Sequence, residues 1–392
     1  MPSNSTSAAI LQESSPTPAP STRTPQILVL ADDLTGACDS ASAFLASGHT
    51  ARVWLSDQTH PEAEQTVWVR HTASRDLPPA TAAQAVISAA KLLPASPKTL
   101  LFKKVDSAGR GNIAAELIAA RKAYAADIIL LAPAFPATGR IVRCGILQIS
   151  DIAGQRTTLS LAALFPEEQH QHIGTAHTPA ELLQLFAHQK QIILCDAETD
   201  TDLRAIAQTA STLPARILWA GSAGLANALA TLHSPIQATH PQPSKLQTGS
   251  ILVIVGTSHN VTQLQLAHLL STPETALLSP DALEGLQLAP DSCAVLQITG
   301  TEQDAIDIRR LWQHLSPKPS VLILTGGDTA AHVLRALEAE AIILKGDVSP
   351  GVPWGTLKGG LADQCTVVTK SGGFGDQACL TKSVAYLRER QA

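Results

Sequence analysis

The sequence predicts an α/β protein of two domains, each built on a mainly parallel sheet flanked by helices, with the ligand site in the interdomain cleft. Three observations lead there. Short branched apolar runs alternate with Ala- and Leu-rich stretches of helical length, which implies parallel strands covered on both faces. The alternation breaks once, at 234–249 (SPIQATHPQPSKLQTG), and then resumes. In both halves the apolar runs end in carboxylates, cations or glycines, and ligands of open α/β sheets bind at the carboxyl ends of the strands.

In the first half the strand-like runs are 26–31, 51–55 (ARVWL), 66–70 (TVWVR), 99–103 (TLLFK), 127–132 (DIILLA), 191–195 (QIILC) and 216–220 (RILWA). Helices are predicted over 79–93 and 112–125. In the second half strands over 250–255 (SILVIV), 293–299, 320–324 (SVLIL), 341–344 and 365–369 (CTVVT) alternate with helices over 262–271, 303–315 and 328–340. The expected domains are 25–235 and 249–392, joined by a linker over 236–248 with three prolines around it. Residues 1–24, rich in Ser, Thr and Pro, read as a disordered tail, because such a composition buries little apolar surface.

Composition narrows the function. The chain has 392 residues, 45% of them hydrophobic, enough for full cores. Its 28 basic and 33 acidic residues give a net charge of −5, so neither a nucleic acid nor a membrane surface is an expected partner. The six cysteines lie far apart with no CxxC pair, as free thiols in a reducing cytosol would. No apolar run reaches the ~20 residues that span a bilayer, and the tail lacks the basic start and apolar centre of a secretory signal. A cytoplasmic location is expected.

The first site signal is ILVLADDLTGACDSASAFLASG (27–48), where a buried strand stops at Asp32 and Asp33 before an Ala-rich helix. One acid suffices to cap a helix, so the pair points to a ligand as well. The second is LFKKVDSAGRGNIAAEL (101–117). Lys103, Lys104, Asp106, Ser107 and Arg110 crowd eight residues, a set that fits a small anionic, hydroxylated ligand. Arginine holds a carboxylate with two parallel hydrogen bonds, and lysine acts as a mobile point charge. RHTASRDL (70–77) brings Thr72, Ser74 and Arg75 to the same strand edge, and PAFPATGR (133–140) reads as a stiff wall of the pocket.

The chemistry changes in the second half. VIVGTSHN (253–260), LILTGGDTAAHVL (322–334) and VVTKSGGFG (367–375) each run from strand into glycine turn. Backbone N–H groups in such turns, and the partial positive charge of a helix start, receive phosphate. Thr257, Ser258, Gly326, Gly327, Asp328 and Thr329, with the glycines after Ser371, are therefore expected to hold a polyphosphate. GSAGLANAL (221–229) is a similar junction that close packing also explains, and PGVPWG (350–355) is either an adenine floor or a rigid turn. Neither a GxxxxGK[ST] loop nor a GxGxxG turn is present. The adjacent acids do not have the two-apart spacing of a haloacid-type phosphatase, and the 13 histidines contain no HExxH pair.

Taken in order, ADDLTGACD (31–39), TASR (72–75), KKVDSAGRGN (103–112), PAFPATGR (133–140), GSAG (221–224), GTS (256–258), TGGDTA (325–330) and KSGGFG (370–375) resemble the four-carbon acid sugar kinase family. The resemblance spans about residues 26 to 385. It implies ATP-dependent phosphorylation of a tetronate-type acid sugar, with the sugar acid on the N-terminal domain and ATP with Mg²⁺ on the C-terminal one. It implies sugar-acid contacts from Asp33, Arg75 and the stretch from Lys103 to Ser107. Nucleotide contacts would come from Ser258, the turn from Gly326 to Thr329, and Gly372. The chain departs from the family pattern at Ala73, at Ala108 and Gly109, and after Gly145. A tetronate, a 3-oxo-tetronate and a branched acid sugar all stay open as substrate.

On this reading Arg75 and Lys104 neutralise the acid's carboxylate, and Asp33 or Asp106 accepts the proton of the attacking hydroxyl. Asp328 rivals them for the base or metal role. Lobe closure would exclude water. The rivals are a non-catalytic sensor for acid sugar and nucleotide, and an aldolase or epimerase, which would need a buried lysine or a metal cage. A homodimer is left open.

Overall fold

A computed structural model describes residues 26–56, 66–150, 156–233, 245–278, 287–299 and 302–391. The expected tail, and the linker apart from 245–248, lie outside the described residues. The first half contributes strands β1 (Ile27–Ala31), β2 (Ala51–Trp54), β3 (Val67–His71), β4 (Leu100–Lys104) and β5 (Ile128–Ala132). It continues with β6 (Arg140–Arg143), β7 (Ile146–Ser150), β8 (Arg156–Ser160), β9 (Ile173–Ala176), β10 (Ile192–Cys195) and β11 (Ile217–Gly221). Its helices are α1 (Leu34–Leu45), α2 (Pro79–Leu92), α3 (Ile113–Ala123), α4 (Pro179–Ala187), α5 (Asp200–Ala210) and α6 (Ala223–Leu232). The second half contributes β12 (Ile251–Val255), α7 (Asn260–Leu270), β13 (Thr275–Leu278), β14 (Cys293–Gln297), α8 (Glu302–His314), β15 (Val321–Thr325) and α9 (Gly327–Ala336). It ends with β16 (Ala341–Ser349), β17 (Val352–Lys358), β18 (Thr366–Lys370) and α10 (Cys379–Gln391).

The mixed α/β architecture with mainly parallel pairing agrees with the sequence pattern. Strand β1 lies parallel between β3 and β4, and β12 and β18 flank β15, all in parallel. Strands β1, β12, β15 and β18 are wholly buried, which is why they read as mainly apolar runs rather than as alternating ones. The sequence did not disclose that the two sheets join. Among the described residues fifteen strands form one sheet, in the order β13-β14-β12-β15-β18-β17-β16-β2-β3-β1-β4-β11-β5-β10-β9. The seam is antiparallel, with Ala341, Ile342 and Ile343 opposite Trp54, Val53 and Arg52.

Helix α1 explains its own composition. It packs against β1, β2 and β3 of the first half and against β16 and α9 of the second. Ala37, Cys38, Ala41 and Phe44 are fully buried. Small side chains let one helix lie close to both halves; a bulky, one-sided amphipathic helix would hold them apart.

Strands β9 and β13 were not expected, and three further features depart from the expected elements. Strands β6, β7 and β8, within 140–150 and 156–160, form a separate antiparallel sheet where no strands were expected. The PGVPWG segment is a turn at Gly351 followed by β17, which pairs with both β16 and β18. Its Pro353 sits opposite Asp347, beside a register shift and beyond the stretch paired to β18, so the missing N–H is tolerated. Trp354 is buried in that strand, which removes it as an adenine floor. Helix α9 stops at Ala336, short of 340, because Glu338 takes a left-handed conformation at φ 56°.

Candidate active site

The two halves of the sheet present their strand ends to one cleft of about 500 Å³. On the first-half wall, Asp33 caps α1 by accepting the Gly36 N–H at 3.1 Å. It also accepts Thr35 Oγ1 at 2.7 Å and Arg75 Nη2 at 2.8 Å. Its neighbour Asp32 has a different task. It turns to Arg75, accepting Nε at 2.7 Å and Nη2 at 3.0 Å. The paired acids are therefore one cap that lines the cleft and one buried anchor for a guanidinium. Burial alone would raise the Asp32 carboxyl, yet Arg75, Lys103 and Lys104 hold it below the usual range.

Strand β4 ends in Lys103 and Lys104, which point to opposite sides as strand alternation requires. Lys104 lines the cleft and makes no ion pair among the described residues. Lys103 goes the other way: 1% exposed, it pairs with Glu116 at 2.6 Å and donates to the Lys104 carbonyl. Glu116 also accepts Ser74 Oγ at 2.6 Å. The expectation that Lys103 contacts the ligand is corrected on this geometry. Its charge is consumed in a core network that ties α3 to the Thr72–Ser74 turn.

Asp106 is held by Arg110, from Nη2 at 2.7 Å and Nε at 3.1 Å, and by its own turn, where it accepts the Ala108 N–H. Against the pull of burial, Arg110, Arg75 and Lys104 keep its carboxyl well below the ordinary range. A carboxylate so tightly paired is a weak proton acceptor, which counts against Asp106 as the base.

The opposite wall is made by the turns after β12, β15 and β18, three neighbouring strands. Gly326 at φ 103° caps α9, a conformation that side chains disfavour. A Cβ at Gly256 would lie 2.5 Å from Thr329 Oγ1, and one at Gly372 would lie 3.0 Å from Thr257 Oγ1. The glycines thus let three turns crowd together. Lys370 does not reach the ligand space. It is fully buried and donates to the Ser371 and Phe374 carbonyls, holding the last turn in shape; burial pushes its ammonium down to about 8. The walls nearly touch at one point, where a Cβ on Gly327 would sit 2.6 Å from Asp33 Oδ2.

Asp33, Arg75, Lys104, Asp106, Ser107 and Arg110 line the cleft from one side. Thr257, Ser258, Gly326, Gly327, Asp328, Thr329 and Gly372 line it from the other. Of the residues expected from sequence, Lys103 is turned away, and Asp32, Thr72 and Ser74 stand behind the lining rather than in it. The sequence reading missed Asp39, His259 and Phe374, which share the lining, whereas Arg140 lies in the motif expected to wall the pocket and does line it. Asp39 was signalled: it follows Thr35 and Gly36 by four and three residues, and so falls on their face of α1. Arg140 and Phe374 lie in quoted motifs, but their pairing across the halves, with the guanidinium 5.9 Å from the ring centre, is a tertiary contact. Five of the six cysteines are buried free thiols, with Cys144 exposed, and no described helix is long and apolar enough to cross a membrane.

Comparison with known proteins follows the same division. Residues 27–171 and 148–229 match a family model described as a sugar-binding N-terminal domain, and residues 308–380 match a nucleotide-binding C-terminal domain. The chain is 34% identical to a D-threonate kinase of Bordetella bronchiseptica, covering 94% of this chain and 98% of that one. It is 25% identical to a D-erythronate kinase of Heliobacterium modesticaldum, over 92% and 97% of the two chains. With a 3-oxo-tetronate kinase of Burkholderia multivorans the identity is 24%, over 90% and 95%. A crystal structure from Salmonella typhimurium LT2 shares the fold, with a TM-score of 0.71 at 21% identity over 91% of this chain and 98% of that one. The chain belongs to the four-carbon acid sugar kinase family.

Proposed function

We propose that this protein uses ATP to phosphorylate a hydroxyl of a four-carbon sugar acid, with the acid on the first-half wall and the nucleotide on the second. The observation that carries the reading is the asymmetry of a single cleft. One wall offers Arg75, Lys104 and Arg110 among carboxylates, and the other offers three glycine turns and the start of α9. Cations with a fixed fork suit a carboxylate, and carboxylates accept hydrogen bonds from sugar hydroxyls. Backbone N–H groups at a helix start suit phosphate. The point where Asp33 meets Gly327 is where acceptor and phosphoryl donor would come together.

Asp33, already oriented by Gly36 and Thr35, is assigned to hold a substrate hydroxyl, and Arg75 and Lys104 to neutralise the acid. Mg²⁺ bound with ATP would spread the charge of the transferring phosphoryl group. The residues fit it: Asp328 faces the cleft without a hydrogen bond among the described residues, beside the hydroxyls of Thr329, Thr257 and Ser258. Such hard oxygen donors, few in number, are what Mg²⁺ takes together with phosphate.

The family relatives named above direct the choice of substrate. D-Threonate is the first acid to test, with D-erythronate and 3-oxo-tetronates beside it. ADP release should depend on one of these acids and be near background without it. No turnover with any of them, or ATP hydrolysis indifferent to them, would refute the assignment; binding without turnover would make the protein a sensor.

A further inference from the structure

The carboxylates around the cleft are not equivalent. Asp33 accepts three hydrogen bonds, one from a guanidinium, and Asp106 is clasped by Arg110. Asp328 stands on the nucleotide wall, at the start of α9. Asp39 differs from all three. It projects from α1 into the cleft on the sugar-acid wall, partly buried, and carries no hydrogen bond or ion pair among the described residues. It also borders a second cavity of about 830 Å³ that continues from the first past Arg140, Gly351 and Phe374. Asp39 therefore sits where residues of both halves close around one space.

We propose that Asp39 is the proton acceptor for the attacking hydroxyl, a role that rests on the kinase reading above. The hydroxyl oxygen bonds to the γ-phosphorus as its proton passes to an Asp39 carboxylate oxygen. The bond from the γ-phosphorus to the β,γ-bridging oxygen breaks, and its electron pair leaves with ADP. Asp39 then returns the proton to solvent. Asp33 keeps the hydroxyl in line, while Arg75 and Lys104 stay on the acid's carboxylate.

The surroundings suit a base that works near neutrality. Burial lifts the Asp39 carboxyl; Lys104 on β4 opposes this, while Asp347 on β16 and Asp33 at the head of α1 add to it, leaving it pushed up to about 7. Arg75, Asp106, Arg110, Arg140, Asp328 and Asp376 are the other charged groups on the two cavities, with His259 titratable beside them. An acceptor must be deprotonated, so activity should rise with pH through this value. Stability runs the opposite way. A carboxyl raised above its unfolded value of about 3.9 weakens the fold as pH climbs through the raised value, so removing the charge should stabilise at pH 8.

The test compares wild type with Asp39→Asn, using ATP and whichever four-carbon acid the wild type turns over. Expected are a kcat lower by roughly 10²–10⁴-fold, KM values for both substrates within about threefold, and loss of the acidic limb of the kcat–pH profile. Melting at pH 8 should be unchanged or higher. A variant that keeps more than about a tenth of kcat, or that retains the acidic limb, overturns the assignment and passes the role to Asp33 or Asp328. Should Asp39→Asn fail to fold, Asp39→Ser is read by the same criteria. A wild type inactive on every acid would instead refute the kinase reading, so the two failures are distinguishable.

Discussion

Arg75 shows how one side chain can serve both stability and binding. Its guanidinium holds Asp32 with two bonds and Asp33 with a third, leaving one edge on the cleft. Truncating it to Ala should raise the sugar-acid KM by roughly 10–100-fold, the worth of charged hydrogen bonds, and change the ATP KM by less than about threefold. Equal losses for both substrates, measured by steady-state kinetics, would contradict the division between the walls. The variant should also melt earlier at neutral pH, because Asp32 is left buried without its partner. The Asp32 carboxyl is depressed in the fold, so its contribution is present above the unfolded value of about 4 and fades as pH falls through the folded one. The melting gap should close in acid. The presence of an arginine in the TASR motif was legible from sequence; its anchoring by Asp32 was not, since no spacing rule links positions 43 apart.

At the scale of elements, the most informative junction is the start of α9 against the start of α1. Gly327 lies so close to Asp33 that a methyl group there would collide with its carboxylate. Gly327→Ala should therefore push both ligands out of register, lowering kcat/KM for acid and ATP together, by ~10²-fold if the displacement reaches about 1 Å. An effect on ATP alone would mean that the walls do not meet here during turnover. Strand identity was readable wherever a segment was short, apolar and branched, as in β1, β12 and β15. It was unreadable in β17, whose Pro353 and Gly355 signal a turn. Gly355 is required there because a side chain would strike the Ile343 carbonyl at 2.4 Å. The β6-β7-β8 sheet was hidden for another reason: its residues are mostly half-exposed, so no continuous apolar run marks it.

For the whole molecule the seam between β16 and β2 is decisive. One sheet runs through both halves, and α1 and the principal hydrophobic core draw on residues from each, Leu30 and Phe44 with Leu322 and Leu334 among them. Calorimetry should accordingly show a single main unfolding transition, with both halves melting together; two well-separated transitions would show the seam to be energetically minor. A nucleotide or sugar acid that binds the folded chain should raise that one transition.

The sequence by itself determined the strand–helix alternation, the chemical contrast between an acid-and-cation half and a glycine-turn half, and the ordered motifs that mark the family. These are local properties, written in residues a few positions apart. The tertiary structure decided which way neighbouring side chains face, so that Lys104 lines the cleft while Lys103 locks the core. It also decided that the two sheets fuse, and that Asp39 stands unpaired between Lys104 and Asp347. Each of those outcomes depends on groups brought together from distant strands, where burial and facing charges act across space and leave no periodic trace along the chain.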